Sequence, residues 1–129
     1  MNSGIIIRDA HYPGRASIEA YGNGGFRFAE MSHRGSILCL PSGIHGWDPT
    51  DASGLGEDDF KAVVEQAAEI DILLVGTGME MRPLPAALKA TLREAGVQAD
   101  PMSTGSAVRT YNVLLAEDRR VAAALIAVD

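Results

Sequence analysis

The sequence has little cysteine and no long apolar run, and each shortage excludes a class of protein. Its one cysteine, Cys39, forms neither an internal disulfide nor a metal cage alone, which favours a reducing compartment. The longest apolar run, residues 121–128, is far shorter than the roughly 20 residues of a membrane-spanning helix. What remains is 129 residues, 47% hydrophobic and 22% charged, with only six prolines. This composition predicts one globular domain over residues 1–129.

Positive charge is also scarce, which argues against a nucleic-acid partner. Eleven Lys and Arg residues stand against 17 Asp and Glu residues, and the formal net charge is −6. The basic residues do not cluster beyond the pair Arg119 and Arg120, whereas binding to phosphate backbones needs a basic patch. The first residues of the sequence lack the pattern of a secretion signal or a mitochondrial presequence, so we expect a cytoplasmic protein.

The front half of the chain has the alternation and turn signals of β-structure. Alternating residues 17–21 and 26–28 flank a Gly-Asn-Gly-Gly turn signal at 22–25, which predicts a hairpin. A continuous apolar run over residues 35–41 predicts a strand buried on both faces, and residues 44–47 extend it in this interpretation.

Helical stripes and apolar runs alternate in the back half of the chain. Apolar residues at helical spacing predict helices over residues 57–68, 84–95 and 103–115. Apolar runs predict strands over residues 70–75, 97–99 and 121–128. A helix is the main alternative for the last of these, because alanine and leucine have high helix propensity. The alternation of elements predicts an α/β fold.

The loop Gly76-Thr77-Gly78 follows a predicted buried strand. Ligands of open α/β sheets bind outside the carboxyl ends of the strands, so this loop is a candidate ligand site. Residue 81 is methionine, so the loop lacks the third glycine of a dinucleotide fingerprint, and it also lacks the lysine of a phosphate loop. We therefore predict no nucleotide cofactor. The alternative is a tight turn that touches no ligand.

A predicted helix start at Ser103 and Thr104 lies one β-α unit further along the chain. Loops that follow parallel strands share one edge of the sheet, so we expect this helix start to face the loop at 76–78. Its N–H groups and hydroxyls, with Arg109 and Arg82 nearby, would favour an anionic group such as carboxylate or phosphate. The alternative is that Ser103 or Thr104 only caps the helix.

The other residues that could carry chemistry stand alone. Cys39 lies in an apolar run, so we expect a packing residue with an inert thiol. Glu80 has no second acid or histidine in a relation that supports acid-base catalysis, which favours a solvated carboxylate. Trp47 stands between turn residues, which favours a cap on the core over an interface anchor. The histidines, His11, His33 and His45, are isolated from one another, and we predict no metal site.

Three segments taken together resemble one protein family. They are GSILCLPSG at residues 35–43 followed by Trp47, LVGTG at 74–78, and MSTGSAVRTYNVL at 102–114. Over about residues 17–128 the chain resembles the Mth-like domain-of-unknown-function family. That family includes mitochondrial NADH dehydrogenase (complex I) assembly factor 3 and an adipogenesis-associated protein. The resemblance implies a three-layer α/β domain with a central mixed β-sheet, and it assigns no catalytic residue.

A well-patterned fold without catalytic chemistry indicates an accessory role. We expect a small non-enzymatic interaction or assembly-accessory protein, with a protein or membrane-complex subunit as partner and no cofactor. The alternative is an enzyme or small-ligand binder that uses an anion-favouring cleft above the loop at 76–78.

Overall fold

A computed structural model describes residues 12–129, and within that range it contains eight strands and three α-helices. The strands are β1 (Ile18–Gly22), β2 (Gly25–Phe28), β3 (Met31–Arg34), β4 (Ser36–Leu40), β5 (Gly43–Trp47), β6 (Ile72–Gly76), β7 (Gln98–Met102) and β8 (Val121–Leu125). The α-helices are α1 (Lys61–Glu65), α2 (Ala86–Glu94) and α3 (Thr104–Ala116).

The strands form two sheets. The smaller is antiparallel with the order β1-β2-β3, and the larger has the order β5-β4-β8-β6-β7. In the larger sheet β6 runs parallel to both β7 and β8, whereas β4 runs antiparallel to β5 and β8. This mixed sheet with helices confirms the predicted α/β fold.

The core lies on both faces of the larger sheet. Along β8, alternate side chains point to opposite faces, with Ala122 and Ala124 on one and Ala123 and Leu125 on the other. The first face packs against α1 and α2, and the second packs against α3 and the smaller sheet. The predicted three-layer arrangement follows, with the larger sheet in the middle.

Several predicted elements are confirmed. The hairpin turns at Asn23 and Gly24, which both have positive φ (52° and 79°), as a tight two-residue hairpin turn requires. Ser103 caps α3, and α2 ends just before Gly96. Residues 121–125 form a strand rather than a helix because β8 lies between β4 and β6, with every residue buried.

Residues 44–47 do not extend the preceding strand, contrary to the prediction. The chain turns back after Leu40 through Pro41 and Ser42, and β5 then pairs antiparallel with β4, with Cys39 opposite Ile44. Gly43 has a φ of 144°, which favours glycine and lets the chain reverse here. The two strands are therefore a second hairpin.

The helix predicted over residues 57–68 is shorter than its apolar spacing indicates. Only α1 is α-helical, and 3-10 turns at Glu57–Phe60 and Ala67–Glu69 flank it. Phe60 and Val63 are buried, but Val64 is 39% exposed, so the buried stripe is narrower than predicted.

Strand β3 is absent from the sequence prediction, and β7 is longer than predicted. The sequence of β3, Met-Ser-His-Arg, has no apolar alternation, and three of its four residues are exposed. β7 continues past Ala99 through Pro101, which is tolerated because β7 lies at the edge of its sheet.

Candidate functional site

The loop after β6 and the start of α3 are joined by backbone and side-chain hydrogen bonds. The Gly78 N–H donates to the Thr104 hydroxyl (3.0 Å), and the Thr104 N–H donates to the Gly78 carbonyl (2.8 Å). The Thr77 N–H donates to the Met102 carbonyl at the end of β7 (2.9 Å). The two loops therefore share one edge of the sheet, as the topology predicts.

Gly76 permits this close approach. A Cβ at this position would lie 2.9 Å from the Cα of Thr104 and 3.0 Å from the Leu125 side chain. A larger residue would push α3 away from β6. Gly78 has a φ of 117°, a conformation that side chains other than glycine rarely adopt.

The hydroxyl of Thr104 is committed to the fold. The residue is fully buried, and its hydroxyl donates to the Ile126 carbonyl (2.7 Å) while accepting from Gly78. It thus links α3 to the loop after β6 and to the segment after β8. Its proton and one of its lone pairs are therefore used in bonds inside the fold.

The hydroxyl of Thr77 organises the loop that follows it. It accepts from the Arg82 N–H (2.9 Å) and lies within donating distance of the carbonyls of Glu80 (2.8 Å) and Met102 (3.1 Å). Since Thr77 is only 4% exposed, these bonds are shielded from water. The buried Thr77 hydroxyl therefore holds the loop that follows β6 in place.

Ser103 and Arg109 lie on the helix side of this region. The Ser103 hydroxyl accepts from the Ser106 N–H (3.3 Å), so Ser103 caps α3. The exposed Arg109 donates from Nη2 to the Ser106 hydroxyl (3.4 Å). The cap that we considered for Ser103 is present, and anion binding beside Arg109 stays a prediction.

A cleft of about 680 Å³ opens on the other side of the loop. Thr77, Gly78 and Arg82 contribute to its lining. Gly76, Ser103, Thr104 and Arg109 are outside the lining of this cleft, although the Thr104 hydroxyl bonds directly to Gly78.

The charges around this cleft are mainly negative. Its lining includes the carboxylates of Asp51, Glu80 and Asp129 against the single guanidinium of Arg82. Hydrogen bonds from Ser53 hold the pKa of Asp51 below its ordinary value, and the nearby Arg82 charge acts in the same direction. The cleft itself therefore favours a cationic or neutral group over an anion.

Two exposed methionines stand on the loop that Thr77 organises. Met79 is 75% exposed and Met81 is 57% exposed. Our sequence interpretation did not single them out as a surface. The sequence feature that could have indicated this surface is their spacing, because two of the five methionines stand two residues apart in the short stretch between Gly78 and Pro83.

Cys39 is buried against α3. It is 1% exposed, and burial raises the pKa of its thiol to about 12, although a hydrogen bond with Tyr111 acts in the opposite direction. Burial also raises the pKa of Tyr111. A thiol that stays protonated is a poor nucleophile, in agreement with a packing role.

The remaining candidates occupy separate places. Trp47 is 9% exposed, its indole N–H donates to the Asp59 carbonyl (2.8 Å), and its ring meets Phe60 edge-on at 5.5 Å. His45 lies 2.9 Å from the Ser42 hydroxyl, and Glu80 is exposed. His11 lies outside the described residues.

Neither a metal cluster nor a membrane span is present in the described part of the chain. Residues 12–129 hold no group of three or more His, Cys, Asp or Glu side chains that could bind a metal ion. Within the same range no helix is long and apolar enough to cross a membrane.

Comparison with known proteins identifies a family and close structural neighbours. A family described as protein of unknown function (DUF498/DUF598) matches residues 18–126. The crystal structure of an outer membrane protein from Bartonella henselae superimposes with a TM-score of 0.89 and 58% sequence identity, covering 92% of this chain and 100% of that one.

Two further similarities agree with the resemblance found in the sequence. A Mth938-like domain from Bordetella pertussis has a TM-score of 0.76 and 26% identity, covering 87% of this chain and 85% of that one. NADH dehydrogenase (ubiquinone) 1 alpha subcomplex assembly factor 3 of Mus musculus is 26% identical over 122 residues, which are 95% of this chain and 66% of the mouse protein. The predicted Mth-like family is confirmed.

Proposed function

Since the chain belongs to the DUF498/DUF598 family of proteins of unknown function, we propose that it is a small non-enzymatic accessory protein that binds a protein partner. One observation carries the proposal: the loop after β6 presents Met79 and Met81 to solvent, 75% and 57% exposed. Methionine is enriched at protein interfaces, and its flexible side chain adapts to irregular partner surfaces.

The loop is organised before any partner arrives. The Thr77 hydroxyl accepts from the Arg82 N–H (2.9 Å) and lies 2.8 Å from the Glu80 carbonyl, so it spans the segment that carries both methionines. A loop that is already ordered loses less conformational entropy on binding. Because the Thr77 hydroxyl is already hydrogen-bonded within the loop, a catalytic role for it is disfavoured.

The relatives support a protein partner. The mouse relative is named as an assembly factor of NADH dehydrogenase, and it is 26% identical to this chain. A subunit of a larger, membrane-bound complex is therefore the class of partner that we propose. Nucleic acid is excluded from the proposal because the net charge is −6.

Affinity capture from the host tests this role. We expect the tagged protein to recover a stoichiometric partner from the soluble fraction or from detergent-solubilised membranes. Met79→Ser combined with Met81→Ser should lose that partner. Val113→Ser should retain it, because Val113 is a comparably exposed apolar residue (56%) on α3 rather than on the loop. Capture of no stoichiometric partner, or equal capture by the double variant, would contradict the proposal.

The cleft beside the loop supports a second candidate function, that of a small-ligand binder or enzyme. Its volume of about 680 Å³ is within the range of small-molecule sites. A thermal-shift screen with a metabolite library separates the two functions, since a ligand at 100 times its Kd stabilises by about 2.7 kcal/mol. An accessory protein gives flat melting curves. A shift that Glu80→Gln abolishes would favour the ligand binder, because the Glu80 carboxylate lines this mainly negative cleft.

We also propose that the protein acts in the cytoplasm. Its single cysteine is free and buried, which suits a reducing compartment. Cell fractionation followed by immunoblotting tests this location. Recovery with the outer membrane after a high-salt wash would overturn it.

A further inference from the structure

Strand β3 has an open outer edge in the described part of the chain. The Gly35 N–H donates to the Gly24 carbonyl (2.7 Å), and the alternation of ladder bonds then directs the backbone groups of Ser32 and Arg34 away from β2. In the described residues 12–129, β3 pairs with β2, and no backbone bond outside that ladder involves the N–H or C=O of either residue. Such a row of unpaired groups is a template for another strand.

Two of the other three sheet edges each have one residue whose outward backbone groups are hydrogen-bonded. At β1, the Asn112 side chain accepts from the Ile18 N–H (2.8 Å) and donates to the Ile18 carbonyl (2.9 Å). At β5, Tyr12 and Ile44 exchange two backbone hydrogen bonds of 3.0 and 2.9 Å. An incoming strand would have to displace these groups.

The edge at β7 is interrupted by a proline. The Gln98 N–H donates to the Asp71 carbonyl and the Met102 carbonyl accepts from Thr77, so these two residues of β7 bond toward β6. Residues of β7 point their backbone groups alternately toward β6 and away from it, and Pro101 is one of those that point away. Proline has no N–H to donate to an incoming strand. Along β3, by contrast, neither outward residue, Ser32 or Arg34, has such a hydrogen-bond partner within residues 12–129 or is a proline.

The side chains of β3 define what could pair with it. Arg34 lies opposite Gly25, and Ser32 lies opposite Arg27, so the two arginines share the outer face of the smaller sheet. Arg27 forms an ion pair with Glu19 (3.5 Å), whereas no ion pair of Arg34 occurs within residues 12–129. This face carries a groove of about 450 Å³.

The opposite face of β3 is partly apolar. Met31 lies opposite the buried Phe28, and 37% of its surface is exposed. A fourth strand beside β3 would therefore place alternate residues next to Arg34 on one face and next to Met31 on the other. Acidic residues complement the first position, and apolar residues complement the second.

We propose that β3 binds an extended segment of a protein partner by strand addition, and that this segment alternates acidic and apolar residues. The proposal names the class of partner segment and rests on the proposed function of binding a protein. Two copies of β3 paired with each other would bring their Arg34 side chains onto one face, and this like-charge contact disfavours self-association through the edge.

Nuclear magnetic resonance titration with synthetic peptides tests the edge. The probe is a short capped peptide of alternating valine and glutamate, and its valine-lysine counterpart is the control. We expect the acidic peptide to shift and protect the amides of Ser32 and Arg34. Ser32→Pro removes an outward N–H and no ladder bond to β2, so binding should weaken about tenfold. Ser32→Ala keeps that N–H and should bind as the wild type does.

Charge reversal supplies a second measurement. Arg34→Glu should exchange the preference, so that the lysine peptide binds more tightly than the glutamate peptide. Thermal melting of each variant verifies that it is folded. The proposal is overturned if the wild type binds neither peptide at millimolar concentration, if Ser32→Pro and Ser32→Ala bind equally, or if the shifts occur at another edge.

Two outcomes separate this inference from the proposed function. If the partner captured from the host is retained by Ser32→Pro and Arg34→Glu but lost with the methionine double variant, the strand edge is wrong and the accessory role stands. If the protein forms a dimer that Ser32→Pro dissociates, the occupant is a second copy, and the acidic partner segment is wrong.

Discussion

Gly78 and Thr104 are joined by two hydrogen bonds that run in opposite directions. The Gly78 N–H donates to the Thr104 hydroxyl at 3.0 Å, and the Thr104 N–H donates to the Gly78 carbonyl at 2.8 Å. The contact fixes the loop after β6 against the first turn of α3. The Gly78 N–H and the Thr104 hydroxyl, which both belong to the predicted ligand site, therefore bond to each other within the fold.

The first prediction concerns the buried hydroxyl of Thr104. Thr104→Val keeps the shape but leaves the Gly78 N–H and the Ile126 carbonyl without this partner, so it should lower the free energy of unfolding by about 2–3 kcal/mol. Thr104→Ser keeps the hydroxyl and should cost only about 1 kcal/mol. Urea unfolding monitored by circular dichroism measures both. Equal costs for the two variants would show that the hydroxyl is not the stabilising group.

The second prediction concerns the space at Gly76. Gly76→Ala places a methyl group 2.9 Å from the Cα of Thr104, and this overpacking should destabilise the protein by about 1–3 kcal/mol. Gly54→Ala is the matched control, because its added methyl group meets nothing within 4 Å. We expect the control to melt within a degree or two of the wild type. A stable Gly76→Ala variant would mean that β6 and α3 can separate at no cost.

The sequence predicts where the two loops lie but not how their polar groups are used. Consecutive β-α units place the loop at 76–78 beside Ser103 because parallel strands share their carboxyl edge. The Thr104 hydroxyl donates to the Ile126 carbonyl, which lies 22 residues further along the chain, and no local sequence pattern predicts a contact over that separation. A threonine hydroxyl that is free to bind a ligand cannot be distinguished in the sequence from one that is hydrogen-bonded within the fold.

The missed elements of the fold have a similar cause. β3 forms because the turn at Ala29 and Glu30, both with positive φ, returns the chain alongside β2. Neither residue is a glycine, so the usual signal for such a turn is absent. The long apolar segments were predictable because burial on both faces leaves a continuous apolar run, as in β4 and β8.

The third prediction concerns the contact of α3 with the smaller sheet. The Asn112 amide bonds both backbone groups of Ile18, at 2.8 and 2.9 Å. Asn112→Ala should lower the free energy of unfolding by about 1–2 kcal/mol, because two partly buried groups lose their partner. Val113→Ala, at an exposed neighbouring position, should have little effect. Hydrogen exchange should also speed up at the Ile18 amide, and unchanged exchange there would contradict this role of Asn112.

The fourth prediction concerns the accessibility of Cys39. The residue is 1% exposed, so a maleimide should not label the native protein within minutes but should label it rapidly in urea. Cys39→Ala and Cys39→Val should leave partner capture unchanged, since the thiol contacts only the interior. Rapid labelling of the native protein would show that the site is open.

The last prediction follows from the raised pKa of the same thiol. Burial raises the pKa of Cys39 to about 12 in the folded protein, whereas the ordinary value for the unfolded chain is 9.0. Between these two values the unfolded chain releases the thiol proton and the folded protein retains it. The folded state then binds more protons, so its stability is fully present below about pH 9 and falls as the pH rises, by up to about 1.4 kcal/mol per pH unit. Tyr111, whose pKa is also raised, contributes a decrease of the same sign.

Urea unfolding at several pH values from neutral to alkaline should therefore give a steep loss of stability for the wild type and a shallower one for Cys39→Ala. Parallel curves for the two proteins would show that the thiol ionises equally in both states, and that its burial does not hold the proton.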